Sequence, residues 1–314
     1  MVSLYILSPV SKDCHTVSNP AQVKIALFGK SFAPDQFIYF RLLVDKLEEL
    51  GCELMLWEPF YNFVKIHCRT DRQFRLFSSY DQLPGEADFL FSIGGDGTLL
   101  DTITLVRDSG IPVMGINLGR MGFLSSIYKE DIIPAIHDIL AGNFRLDKRS
   151  LLRLETQNGL FGDLNFAMNE LSINKKDSSA MILIHVFVNE KLLNSYWADG
   201  LIVATPTGST GYSLSCHGPI LTPDSENLLI TPIAAHNLTV RPVVIPDTST
   251  IRIRVEGRDN LFLVGLDARS ATIGPGTELV IKKENFQINL LQRPDENFFA
   301  TIRGKLLWGH DIRN

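Results

Sequence analysis

Residues 87–100 read ADFLFSIGGDGTLL. The first seven form an apolar run of strand length, Gly94, Gly95 and Gly97 crowd three glycines into four positions, and Thr98 to Arg107 has helical spacing. A strand, a glycine turn and a helix in succession make half of a βαβ unit, and the flanking sequence repeats the alternation. Upstream, VKIALFG from Val23 is a buried strand. Phe37, Phe40, Val44, Leu47 and Leu50 then fall on one helical stripe closed by Gly51, and CELMLWE is a second strand. Downstream, PVMGIN is a further strand, and Glu130 to Leu140 is a helix closed by Gly142. These elements predict a Rossmann-like parallel sheet flanked by helices over residues 21–145.

Beyond Phe144 the texture changes to short β-rich runs: LLRLETQ, MILIHVFVN, LIVAT, PVVIP, TIRIRVEG, NLFLVGL, ELVIKK and FQINLLQ, punctuated by Gly, Pro, Asn and Asp. Residues 146–291 are therefore expected to be all-β. Two helical starts interrupt them or follow them, Ser209 to Ser215 after a Pro-Thr-Gly, and the tail Phe298 to Leu307. The tail, residues 292–314, is expected to return to the first domain, and the two domains to meet at a cleft. Residues 1–20 read as a loose leader.

With 314 residues and 45% hydrophobic side chains, the chain can bury one or two sizeable cores. A net charge of -5 leaves no basic excess to neutralise a nucleic-acid backbone, so any nucleotide partner is a small one. Cys14, Cys52, Cys68 and Cys216 are scattered without a CxxC pair, which supports neither a zinc knuckle nor a disulfide framework and fits a reducing cytoplasm. The opening MVSLYILSPVSKDCHTV lacks a charged n-region and a long apolar stretch, so no membrane segment is expected.

The glycine loop fits neither common phosphate-binding fingerprint. G-x-G-x-x-G fails because Leu100 stands in the third glycine's place, and no G-x-x-x-x-G-K-[ST] occurs in the chain. A second loop, GINLGRMGF with Gly115, Gly119 and Gly122, also follows a strand and is expected to line the same crevice. Asp96 sits where phosphates would repel it, unless a divalent cation stands between them or the carboxylate takes a proton from a hydroxyl attacking a phosphoryl group. Both solutions point to phosphoryl transfer. The competing reading is that Asp96 only holds a local Asx turn.

A second cluster follows in the β-rich half. DGLIVATPTGSTGYSLS, residues 199–215, is a strand and a loop whose free amides and hydroxyls suit an anion or the edge of a base. Ser209 or Thr210 as a plain helix N-cap explains the same loop, and Tyr212 either stacks on a ring or fills the core. Asn169 and Glu170 pair an amide with a carboxylate, which suits an adenine edge and a ribose diol, although turns contain such pairs as well. His137 and His185 read as structural residues.

Taken together, GGDGT, NLGRMGFL, NE, DGLIVATPTGSTGYSLSCHGPIL and AAHNLTVRPVVIP, in this order from about Val23 to Arg269, resemble the NAD kinase family. GGDGT alone is shared with lipid kinases; the joint set is not. The resemblance implies an α/β domain with a C-terminal β-sandwich that binds NAD, a homo-oligomer (dimer or tetramer), and phosphoryl transfer from ATP to the 2′-hydroxyl of the adenosine ribose of NAD, giving NADP. It also implies a divalent cation, magnesium by preference, with no metal-ligating side chains assigned.

By the same resemblance Asp96 is the proton acceptor, and Gly97 lies beside the ribose and phosphate. Asn169 and Glu170 contact adenine and ribose hydroxyls, Asp199 lies near the nicotinamide end, often across a subunit boundary, and Thr210, Gly211, Tyr212, Ser213, Leu214 and Ser215 form the adenine-side loop. Three positions depart from the family. Asp267, Ala268 and Arg269 stand where Asp-Gly-Gln is common, so Arg269 either offers a cation to a phosphate or is a surface arginine, the second being preferred. Gly211 replaces an alanine, and Met121 a leucine. His236 is not assigned a catalytic part, and Arg241 is free to pair with a carboxylate. A lipid kinase and a non-catalytic NAD-binding regulator are the competing functions, and polyphosphate is the competing donor.

Overall fold

The computed structural model describes residues 23–68, 72–119, 122–125, 127–176, 180–257 and 261–309. The expected leader at 1–20 and the substitution at Met121 lie outside the described residues.

The N-terminal half carries strands β1 (Lys24–Gly29), β2 (Glu53–Trp57), β3 (Arg75–Phe77), β4 (Phe89–Ile93), β5 (Val113–Asn117) and β6 (Ile127–Tyr128). Helices α1 (Phe37–Glu49), α2 (Glu58–His67), α3 (Asp96–Val106) and α4 (Ile132–Leu140) alternate with them. The strands pair in parallel in the order β5-β4-β1-β2-β3. Ile25, Leu27, Phe89, Phe91 and Ile93 face a core shared with α1, α2 and α4, while Ala26, Phe28 and Leu90 face α3. Helices on both faces bury β4 and β5 entirely and all of β1 but Lys24, and for that reason these strands are near-continuous apolar runs in the sequence. The α2 segment escapes a periodicity reading because its buried stripe is a single pair, Phe60 and Val64.

The C-terminal half supplies β7 (Arg145–Glu155), β8 (Phe166–Ala167), β9 (Glu170–Lys175), β10 (Ile182–Val188), β11 (Lys191–Ala198), β12 (Gly200–Ala204), β13 (Asn227–Ile233), β14 (Val243–Pro246), β15 (Ile251–Glu256), β16 (Phe262–Leu266), β17 (Arg269–Ile273) and β18 (Glu278–Gln292), with α5 (Tyr212–Ser215) and α6 (Phe298–Leu306). An antiparallel sheet ordered β14-β13-β12-β9-β16-β17 faces β10, β15, β7 and β18 across one apolar core, the β-sandwich that accompanies the α/β half.

ELVIKK and FQINLLQ, which read as separate runs, form the single strand β18, whose register against β7 shifts between Lys283 and Gln287. The polar Glu284 and Asn285 between them mark an irregularity in the ladder and not a turn. The far end of β18 then pairs in parallel with β5, Leu290 opposite Val113, so one sheet of twelve strands among the described residues runs through both halves. The chain after β18 returns to the α/β half, where Arg293 lies 3.2 Å from the Asp138 carboxylate at the end of α4.

Helix α3 stands between the halves. Its Leu99, Ile103 and Val106 share a core with Phe166, Met168 and Ile288 of the β-rich half. The helix that begins at Asp96 is therefore packed against the strand ends leading into Asn169. No helix of the described residues is long and apolar enough to cross a membrane.

Candidate active site

Asp96 is the first residue of α3, after Gly94 at φ 152° and Gly95 as N-cap. Its carboxylate does not close a local turn. It accepts the backbone N–H groups of Phe123 on Oδ2 at 2.6 Å, and of Leu124 and Ser125 on Oδ1 at 3.1 and 3.0 Å, all from the loop after β5. That replaces the Asx-turn reading and joins the two glycine loops in one crevice. A carboxylate offers about four acceptor positions, so one position on Oδ2 remains for a ligand. Gly122 makes the approach possible: a Cβ added there would stand 2.6 Å from the Asp96 Cγ, and closer still to Oδ1. Gly95 and Gly97 have no neighbour within 4 Å of an added Cβ, so nothing inside the chain demands a glycine at either place.

In the β-rich half a second aspartate also gathers three backbone amides. Asp267 is held at φ 50°, and its carboxylate accepts the N–H groups of Met168 (2.8 Å), Asn169 (2.8 Å) and Glu170 (3.2 Å). Sequence reading noted Asp267 only as part of a departure from a motif. Its role as the clamp of the Asn-Glu pair rests on hydrogen bonds to residues about 98 positions away, which no local pattern signals. Burial pushes the Asp267 carboxyl above its usual range, against the pull of its three N–H donors and Arg269.

Glu170 opens β9, and its Oε2 is buried with no hydrogen-bond partner. Burial first, and the neighbouring Asp267 charge second, push its carboxyl up to about 7, with the Tyr212 backbone N–H pulling the other way. An orphaned buried oxygen of this kind is costly unless a ligand donates to it.

The Asn169 carbonyl accepts the Thr205 N–H at 2.9 Å, and the Gly211 Cα lies where a Cβ would stand 3.1 Å from Glu170 Oε2. Asn169, Glu170 and the 205–212 loop thus form one wall.

That loop is built differently from the helix start expected of it. Residues Thr207–Thr210 make a 3-10 turn, and α5 begins only at Tyr212 with Gly211 as its cap. Neither hydroxyl caps a helix: Ser209 Oγ donates to the Pro206 carbonyl and accepts the Leu221 N–H, and Thr210 Oγ1 donates to the Thr207 carbonyl at 3.2 Å. Tyr212 is 41% exposed, which removes the core-filling reading. Ser213 is buried with its hydroxyl 2.8 Å from that of Thr231, Leu214 is half-buried and Ser215 is exposed.

Asp199, between β11 and β12, lies 2.6 Å from the Lys175 ammonium, and its charge reaches Tyr212. Arg269 is not a free surface group. Its guanidinium donates to the carbonyls of Leu164 and Phe166 and lies over the Phe166 ring, 5.4 Å from the centroid. Burial lowers its pKa. Arg241 spends its donors on the Leu238 and Val240 carbonyls, both at 2.7 Å, instead of a carboxylate. His185 bonds the Ser195 hydroxyl at 2.8 Å inside the sandwich edge.

Sequence reading also missed Tyr128 and Lys305. The Tyr128 hydroxyl is raised in pKa by burial and by the charges of Glu296, Asp96 and Asp131, and Lys305 reaches the same place from α6. Beyond the carboxyl ends of β1 and β2, Phe28, Lys30, Trp57, Phe60 and Asp101 line a cavity of about 430 Å³, with Lys30 and Asp101 2.6 Å apart. Among the described residues no group of three or more His, Cys, Asp or Glu side chains is arranged to hold a metal.

Family models for the ATP-NAD kinase N-terminal and C-terminal domains match residues 62–144 and 168–292. An NAD kinase of Cytophaga hutchinsonii is 43% identical over 92% of this chain and 99% of its own length. One of Flavobacterium psychrophilum is 45% identical over 93% of this chain and all of its own. The chain belongs to the NAD kinase family. Two solved structures share the NAD kinase fold at lower identity. Yeast NADH kinase, complexed with NADH, superposes with a TM-score of 0.81 at 22% identity, covering 93% of this chain and 89% of its own. An NAD kinase from Archaeoglobus fulgidus, in complex with ATP, gives 0.72 at 23% identity, covering 91% and 99%.

Proposed function

We infer that this protein transfers a phosphoryl group from ATP to the 2′-hydroxyl of the adenosine ribose of NAD, making NADP. The observation that carries the reading is the Asp96 carboxylate, pinned by three backbone amides with one acceptor position left over, on the helix that packs against the strand end leading to Asn169 and Glu170. The amide of Asn169 reads the adenine edge, and the orphaned Glu170 Oε2 accepts from the ribose diol. Gly211, Tyr212 and Leu214 border the base, Thr210, Ser213 and Ser215 shape the turn that holds it, and Asp199 meets the nicotinamide end.

With NAD so held, the 2′-oxygen bonds to the γ-phosphorus as the bond from that phosphorus to its bridging oxygen breaks. The ribose proton passes to Asp96 and the nucleoside diphosphate leaves. The transition state is loose, so fixing the carboxylate and the hydroxyl in line matters more than a strong base. Open space above Gly95 and Gly97 leaves room for phosphate oxygens to reach the α3 amides. The donor's place is the crevice beyond β1 and β4, where the strand order reverses, with the cavity by Trp57 next to it. The single carboxylate at the loop suits magnesium carried mainly by phosphates and water, which needs no cage of side chains. That ion supplies charge neutralisation of the phosphates when bound.

A homo-oligomer is part of this proposal, supported by exposed Leu192, Trp197 and Leu238 around the edge strand next to Asp199. Sedimentation at micromolar concentration checks it, and a monomer there sinks it. Cytoplasmic residence is supported by free Cys52, Cys68 and Cys216. For the reaction, the test is Asp96→Asn with NADP formation followed against ATP, other nucleoside triphosphates and polyphosphate. Turnover should fall by ~10² or more while NAD affinity stays within a few-fold. Near-normal turnover removes Asp96 from the role.

A further inference from the structure

Both family models stop at or before Gln292, and α6 lies beyond them. The helix is firmly started: Asn297 caps it through the Ala300 N–H at 2.8 Å, and Ile302 is buried. One turn further on, the Lys305 side chain runs to the glycine-loop crevice. Its Nζ stands 5.4 Å from the centroid of the Phe123 ring, and the N–H of Phe123 is the donor 2.6 Å from Asp96 Oδ2.

The Lys305 side chain is partly buried along its length, and among the described residues its ammonium has no carboxylate within 4 Å and no hydrogen bond. Asp96 is the charge it senses, and that carboxylate's donors are the loop amides instead. A cation near a carboxylate that is already held by three backbone amides, but not bonded to it, is placed to meet an anionic group that enters between the two.

We propose that Lys305 is a catalytic residue of this protein, its ammonium meeting the oxygens of the phosphoryl group as that group passes to the hydroxyl at Asp96. The proposal rests on the reading of Asp96 given above. In the transfer itself the 2′-oxygen–phosphorus bond forms, the bridging oxygen–phosphorus bond breaks, and the proton goes to Asp96. Lys305 exchanges no proton and offsets the charge on the three equatorial oxygens. Burial pushes its pKa down and Asp96 pulls it back up.

The experiment compares Lys305→Met, Lys305→Arg and Lys305→Ala with the parent, measuring kcat and both KM values by NADP formation and unfolding free energy by denaturant. Lys305→Met should lower kcat by ~10² with the KM for NAD within about two-fold, as for loss of one preorganised donor to the transition state. Its stability should stay close to the parent's, because methionine keeps the apolar stem of the side chain and no hydrogen bond or ion pair is lost. Lys305→Arg should recover a tenth or more of the loss, and ethylammonium should restore turnover to Lys305→Ala. Turnover of Lys305→Met within about three-fold of the parent overturns the proposal. So does an equal loss in the Met and Arg variants accompanied by lower stability, which assigns Lys305 to the packing of α6. Asp96→Asn is run alongside: inactive Asp96→Asn with active Lys305→Met sinks the lysine alone, whereas activity in both removes the chemistry from this loop.

Discussion

Replacing Gly122 by alanine tests the geometry of Asp96 without touching a charge. The new Cβ would lie 2.6 Å from the Asp96 Cγ and 3.0 Å from its Oδ2, with Oδ1 nearer still. Ordinary carbon–carbon contact begins at about 3.5 Å, so the carboxylate has to retreat by about 1 Å. Its three hydrogen bonds, at 2.6, 3.1 and 3.0 Å, cannot all survive such a shift. Each charge-assisted bond contributes about 1.5–3 kcal/mol, but a half-exposed carboxylate recovers much of that from water, leaving a stability loss of about 2 kcal/mol.

The loss in rate should be larger than the loss in stability. A reacting group misplaced by about 1 Å costs ~10² in turnover, so kcat for NADP formation should drop by that factor. Gly97→Ala is the control, because nothing lies within 4 Å of its added Cβ and Gly97 sits inside the first turn of α3. There alanine should stabilise the protein by up to about 1 kcal/mol, and any fall in activity would report on crowding of the substrate phosphates. Gly122→Ala with turnover within about three-fold of the parent would refute the reasoning, since the carboxylate would then be shown to work without its amide clamp.

Two further outcomes follow from the opposite wall. Glu170 has an ordinary value of 4.5 raised to about 7 in the fold, so between those values the folded state holds more protons than the unfolded one, and stability falls as pH rises through that window. The gap corresponds to about 3 kcal/mol at most, which Glu170→Gln should remove from the pH dependence of denaturant unfolding; an unchanged profile contradicts it. Ribose hydroxyls donating to the ionised carboxylate should also release protons when NAD binds near pH 7, a release seen by calorimetry in buffers of different ionisation enthalpy and absent in the variant. Asp267→Asn should cost about 1–3 kcal/mol and raise the KM for NAD more than it lowers kcat, because one of the two oxygens that accept from the backbone of residues 168–170 becomes an NH2 facing an N–H donor. A purely kcat effect in that variant would place Asp267 in the chemistry and not behind the Asn-Glu pair.

Much of the architecture was written in local pattern. The runs VKIALFG, ADFLFSI and PVMGIN are mostly apolar because helices cover both faces of their sheet, and the α1 stripe ends at Gly51, which sits at φ 76° where the chain must turn. The alternating runs after Phe144 announced a half-buried β structure for the same kind of reason. The glycines and the lone aspartate of residues 94–97 pointed to phosphoryl transfer at sequence level, because a phosphate and a carboxylate can share a loop only if a proton or a cation mediates. Composition and cysteine spacing could exclude functions but not choose one.

Tertiary structure decided everything that depends on contacts distant along the chain. Asp96 bonds amides 27 to 29 residues away, Asp267 bonds amides about 98 residues away, and Arg269 serves carbonyls more than 100 residues away. No periodicity encodes such bonds, since a side chain's partner is set by which loops the sheet order brings to one edge. The same holds for Lys305, an unremarkable tail lysine by sequence, which β18 delivers to the crevice by crossing from the sandwich to pair with β5. Strand and helix follow from the spacing of apolar residues; which charge faces which amide follows only from how those elements are stacked.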